Sequence, residues 1–322
     1  MSDLVKKYWF PLGLVLVVIV TFADVSGRIA AAGMWLKQHH GPEMNIFVIF
    51  FTSGLMLHWA QVREGLLDIR GILLALVLIF LAAPLLAWAM ARIPLPAGIV
   101  VGLFLVAVMP TTLSSGVVMS GAAGGNMAHA LVITIVANAL AIFTIPLSLP
   151  LLVHESAAGG GIAIDKLPLM IKLGLLVLVP LLLGLAGKAL LVDRLAPRPR
   201  QVLETVLTRL NQFLILLIVW MALSRSRDAI LLSGTRLVVI ALVSVGFHGL
   251  MLAAAGLLVW RFRIPRGRRE SVIFMGAQKT LPLSILLQVS LFPQYPDALT
   301  VCVVHHLLHL VMDGALVDRL RG

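Results

Sequence analysis

The sequence predicts an all-α polytopic membrane protein, ten transmembrane helices in two inverted five-helix repeats. Three observations carry that expectation. Of the 322 residues, 60% are hydrophobic and only 12% charged, too few polar groups to cover a water-soluble globule. Ten apolar stretches follow one another, each near the roughly 20 residues needed to cross a bilayer. Two of them, the fourth and the ninth, are interrupted at mid-length by proline and polar residues that a lipid-facing helix does not tolerate.

The spans are read at residues 9–25, 44–62, 72–90, 97–121, 127–152, 167–191, 206–223, 237–260, 271–292 and 298–316. The first lies behind Lys6 and Lys7, but its apolar run is longer than a signal-peptide core. Phe22-Ala23-Asp24 is also a poor cleavage site, so it is expected to be a mature helix. Residues 157–162, AAGGGI, form a flexible linker near the midpoint, with five spans on either side. An odd number per half makes the second half enter from the opposite face, hence an expected division into repeats at 1–160 and 161–322.

Ten spans place both termini on one side. That side carries 16 Lys and Arg against 8 on the other, with Lys279 left inside, so both termini are expected in the cytoplasm of a plasma membrane, a bacterial cytoplasmic one. The same loops account for the net charge of +11, and nucleic-acid binding is not expected. A single cysteine, Cys302, excludes an intramolecular disulfide and a thiolate metal cluster. Paired catalytic aspartates, His-Glu-x-x-His and Gly-x-Ser-x-Gly are all missing, so neither an enzyme nor a cofactor is expected.

The ninth span organises the rest. Its centre holds Gly276, Gln278, Lys279, Thr280 and Pro282. Pro282 cannot continue a helix through its own amide, so a break is expected just before it, with Lys279 at the break. A lysine at mid-bilayer costs about 2.5–3.5 kcal/mol, and unwound backbone survives there only inside protein or beside water. The ammonium of Lys279 is therefore expected to face a polar cavity; the competing reading is a structural lysine that neutralises the carbonyl end of the first half-helix or pairs with a neighbouring carboxylate. The fourth span has its own break at Pro110, followed by Thr111, Thr112, Ser114 and Ser115. Small hydroxyl residues also let helices pack closely. Four within five residues, mirrored by a second break, favour a ligand-facing cluster at the bilayer midplane.

Other polar residues punctuate the membrane. Thr134 and Asn138, four apart on one face of the fifth span, are candidates for lining the same cavity or for interhelical hydrogen bonds. His248, central in the eighth span, is a possible proton carrier or a packed histidine. His305, His309 and Asp313 share a face of the last span, a spacing that suits a metal site, a proton relay or structural His-Asp contacts; no second helix offers evident partners, and no metal is assigned to them. Trp220 and Met221 are candidates for an apolar wall.

At Ala83-Pro84-Leu85-Leu86-Ala87-Trp88, at residues 110–116, at Gly125-Asn126 and at Met275-Gly276-Ala277-Gln278, the chain resembles the bile acid:sodium symporter family, in particular its divergent symporter-like branch. The resemblance implies a core domain of spans three to five and eight to ten, in which the two broken helices cross. A panel of spans one, two, six and seven would move against it. It also implies organic anions as solutes and sodium as the coupling ion. Of the family's sodium ligands, Ser115, Thr134 and Gln278 match. Four others are replaced by Gly116, Ala130, Phe274 and Ile79, and a cation, Lys279, follows Gln278. The sodium sites are thus expected to be largely lost, with Lys279 substituting for the ion or binding an anionic solute. The expected function is a secondary active transporter working by alternating access. Proton coupling, uncoupled flux and a channel-like or regulatory role remain alternatives, and the oligomeric state is open.

Overall fold

A computed structural model describes residues 3–57, 63–65, 68–112, 115–155, 164–193, 196–231 and 234–321. These are helical nearly throughout, with no strand among the described residues. The helices are α1 (Asp3–Ala23), α2 (Arg28–Gln38), α3 (Gly41–Met56), α4 (Ile69–Met90), α5 (Ala97–Ala107), α6 (Ser115–Ala122), α7 (Met127–Glu155), α8 (Lys166–Gly187), α9 (Pro197–Leu231), α10 (Gly234–Arg261), α11 (Arg269–Ala277), α12 (Leu281–Leu291) and α13 (Pro296–Arg321).

Seven helices are long and apolar enough to cross a membrane, eight if the pair Leu12–Ala23 and Arg28–Gln38, bent by 113°, is one span. That is fewer than the ten read from the sequence, for local reasons. The apolar run at 97–121 is divided, which leaves only Ala97–Ala107 as a short apolar helix. The second stretch is helical to Met56, and residues 58–62 lie outside the described part. The linker at 157–162 also falls there. Helix α2 was not anticipated. The carboxylate of Asp24 starts it by accepting from the Ala30 amide at 3.0 Å, while Arg227 of α9 donates to the carbonyl oxygens of Thr21 and Asp24 at 3.0 and 2.8 Å and so fastens the bend.

Without a hydrophobic driving force between helices in lipid, packing depends on close backbone approach. Helices α3 and α8 meet where Gly54 faces Gly184, and a Cβ on either would strike the partner's main chain at Leu181 or Phe51. Gly184→Leu should therefore lower stability by about 3 kcal/mol, since neither backbone can yield. Gly174, with open space around it, serves as the control. Thermal unfolding in detergent that affects Gly184→Leu and Gly174→Ala equally would refute the contact.

Helices α11 and α12 occupy the middle of the molecule, with 94% of the best window in Arg269–Leu291 enclosed by protein. Interior placement is what an interrupted helix requires, because lipid cannot satisfy freed backbone groups.

Candidate functional site: the meeting of two interrupted helices

Helix α11 ends at Ala277, Gln278 and Thr280 are extended (ψ 147° and 134°), and α12 starts at Leu281 with Pro282 in its first turn, where a missing amide hydrogen is harmless. Helix α5 ends at Ala107, and the chain runs without helix through Met109–Thr112 before α6 starts at Ser115. The two interruptions touch: the Thr280 amide donates to the Pro110 carbonyl at 3.0 Å.

Lys279 does not face an open cavity. Its side chain is buried, 1% exposed, and Nζ donates to the carbonyl oxygens of Ile79 (2.9 Å), Ala107 (2.9 Å) and Met109 (3.0 Å). The reason is local chemistry. Ala107 closes α5 and Met109 lies just past it, at the helix's negative end, where carbonyls outnumber the amides that can reach them. Helix α4 is widened by a π-helical turn at Leu78–Ala82, which leaves the Ile79 carbonyl near its start available. The ammonium supplies three donors where three acceptors lack one. The ammonium thus meets the carbonyl end of α5, in the other interrupted pair, and not that of α11.

Gln278 ties the two interruptions to α13. Its Oε1 accepts from Thr112 Oγ1 at 2.7 Å and from Ser115 Oγ at 3.1 Å, and its Nε2 donates to Asp313 Oδ2 at 2.7 Å. Gly116 lies alongside, and a Cβ there would come within 2.6 Å of Met275 Sδ and 3.0 Å of Gln278 Oε1. A side chain at 116 would therefore require Met275 and Gln278 to shift.

A cavity of about 130 Å³ adjoins this knot. On one side it is lined by Thr112, Ser115, Thr134, Asn138 and Thr280, on the other by Phe10, Ile49, Leu181, Asn211 and Ile215 from α1, α3, α8 and α9. Among the described residues its lining includes no carboxylate, and His306 is the one titratable side chain there. Thr134 and Asn138 also brace the α5–α6 interruption, with weak 3.4 Å hydrogen bonds to the carbonyls of Thr112 and Thr111. Thr111 is buried, and its hydroxyl has no partner among the described residues. Ser114 lies outside them.

Two further expectations are corrected. Trp220 and Met221 do not form the cavity wall; they pack under Gly33 and Gly41, where those glycines leave room. The face of His305, His309 and Asp313 does have partners from other helices. His248 Nε2 of α10 stands 2.8 Å from Asp313 Oδ1, and Gln278 completes the carboxylate. Among the described residues no group of three or more His, Cys, Asp or Glu is arranged to hold a metal ion. The sequence reading missed His306, Asn211 and Thr208, all on the cavity. Polar Asn211-Gln212 inside an apolar run was the available signal.

Two interrupted helical segments thus meet, inside a helical membrane protein, beside a small cavity. The chain belongs to the SBF-like CPA transporter family, which it matches over residues 8–322. It is 28% identical to the probable sodium/metabolite cotransporter BASS4, chloroplastic, of Arabidopsis thaliana, over 96% of this chain and 72% of that protein. Shorter similarity, 29% identity over 56% of this chain and 53% of the relative, links it to sodium/bile acid cotransporter 7 of Danio rerio. The solute carrier RCH1 of Saccharomyces cerevisiae is 28% identical over 57% of this chain and 45% of its own length.

Proposed function

We propose that this protein is a secondary active transporter of an organic anion that works by alternating access, with its family's sodium sites largely lost. The observation that carries the reading is the position of the cavity. One wall comes from the interrupted helices and α7, the other from α1, α3, α8 and α9, the elements expected to form a core and a moving panel. At about 130 Å³ the cavity is below the roughly 300–1,000 Å³ of small-molecule sites, so a solute enters only as the two walls part. Ten spans in two inverted repeats, 1–160 and 161–322, provide the symmetry for that exchange.

The anionic preference rests on three features. Helices α6 and α12 begin at the cavity with Ser115 and Thr280–Leu281, the lining has no carboxylate, and the charge of Lys279 lies one residue from Thr280. Apolar side chains opposite accept the body of the solute. Thr111 and Ser114 are proposed to complete the polar strip as the walls move.

Sodium does not fit the residues present. Ile79, Phe274 and Ala130 are buried, and neither they nor Gly116 carry a side-chain oxygen. The ammonium of Lys279, resting on three carbonyls, takes the place of the ion. The proposed location is a plasma membrane with both termini cytoplasmic.

Thermal unfolding in detergent with a panel of carboxylate and sulfonate solutes tests this reading, because a ligand of the folded state raises the transition. Some of these anions should stabilise equally in sodium and in choline buffer, and the same anions should accumulate in proteoliposomes against a gradient. Stabilisation only in sodium would overturn the lost sites. Flux that merely equilibrates would favour a channel.

A further inference from the structure

The deepest carboxylate near the crossing lies outside the cavity. Asp313 is fully buried on α13, and its oxygens are held by His248 from α10 and by Gln278. His309, one turn earlier, places Nδ1 3.6 Å from Asp313 Oδ2, and its Nε2 lies 2.8 Å from His306 Nδ1. His306 opens onto the cavity. A chain of titratable atoms thus runs from the cavity to the carboxylate. His305 flanks it, its ring 5.7 Å from that of His248 and 5.4 Å from that of His309. Three buried ring nitrogens, His248 Nδ1, His305 Nε2 and His309 Nδ1, have no hydrogen-bond partner among the described residues.

The α11–α12 interruption presents Gln278, which donates to Asp313, and Lys279, whose ammonium is turned to carbonyls. Helix α6 presents Met119 to Gln278, and α1 the edge of Phe10 to His306, with ring centres 6.0 Å apart. A carboxylate this deep requires a compensating positive charge, and the ammonium of Lys279 is committed to carbonyls elsewhere. Imidazoles are the groups in contact that can provide it.

We propose that His306, His309, Asp313 and His248 form a proton-binding relay entered from the cavity at His306, and that Gln278 reports its occupancy to the crossing of the interrupted helices. The proposal rests on the transporter reading for its purpose, which is to make the proton the coupling ion. A proton taken up by His306 releases the proton on Nδ1 to His309 Nε2. His309 then gives the proton on its Nδ1 to Asp313 Oδ2 as the 3.6 Å gap closes, and each ring is left as its other tautomer. Reverse passage restores both. A hydrogen bond to a charged acceptor is roughly twice as strong as one to a neutral acceptor. Loading the carboxylate therefore weakens its hold on Gln278, and Gln278 in turn holds Thr112 and Ser115.

The test is a titration of the full chain in detergent, labelled with nitrogen-15 at histidine, from about pH 5 to about pH 9. His248, His306 and His309 should titrate as one coupled group. Asp313→Asn should lower the midpoints of His248 and His309 by at least about one pH unit, because the lost carboxylate had favoured the imidazolium. Gln278→Leu removes a donor to the carboxylate and should move the coupled midpoint upward. Where Asp313→Asn does not fold, His309→Gln cuts the path, and His306 should then titrate independently of His248. Independent titration in the unaltered protein, or midpoints indifferent to Asp313→Asn, would overturn the relay. Solute flux separates the two readings: coupled titration without any flux removes the carrier and leaves the relay, and flux without coupled titration removes the relay alone.

Discussion

Lys279→Ala is expected to destabilise the protein by about 3–5 kcal/mol and to make it respond to sodium, a response not expected of the unaltered protein. Truncating one partner of a buried charged contact costs this much because the other groups stay behind unsatisfied. Here these are the carbonyls of Ile79, Ala107 and Met109, all with the ammonium as donor at 2.9–3.0 Å. Removing the side chain leaves three oxygens around a vacated cationic position. Sodium at ten times its dissociation constant should return about 1.4 kcal/mol by mass action, whereas choline is too large to enter. Thermal unfolding of both proteins in sodium and choline chloride measures this directly. A destabilised variant that ignores sodium would leave Lys279 structural and remove its role as substitute for the ion. An undisturbed variant would contradict the carbonyl contacts themselves.

Gln278→Glu keeps the shape of the side chain and should still be the most pH-sensitive substitution in the protein. The atom facing Asp313 Oδ2 at 2.7 Å changes from a donor to an oxygen, so two carboxyl groups must share one proton. The folded state then binds more protons than the unfolded chain, whose carboxyls ionise near pH 4. Stability must fall with rising pH wherever that difference persists, at a limit of about 1.4 kcal/mol per pH unit. Near-native unfolding temperatures at about pH 4 and a drop equivalent to several kcal/mol by about pH 8 are expected. The Thr112 and Ser115 hydroxyls keep an acceptor throughout, so the effect isolates the contact with α13. A flat pH profile would show that the Gln278–Asp313 contact carries no weight.

Pro282 announced where α12 would start, because its ring and absent donor act within one turn. The hydroxyls after Pro110 were readable in the same way, and Thr112 and Ser115 do meet Gln278. The direction of Lys279 was not readable. A charge in an apolar segment says that something must compensate it, without saying whether water, a solute or a backbone carbonyl does so. Likewise the histidine face of α13 could be counted from spacing alone, but its partners His248 and Gln278 lie 65 and 35 residues from Asp313 in sequence.

Composition, apolar length and the two proline breaks were enough by themselves to define a polytopic helical protein with an interrupted centre, since each acts over a single turn or a single span. Only the tertiary structure decided that α5 and α4 present bare carbonyls to Lys279, and that Asp313 meets the crossing through Gln278. Polar groups withdrawn from water must find partners, and which partners come within 3 Å depends on how distant helices pack.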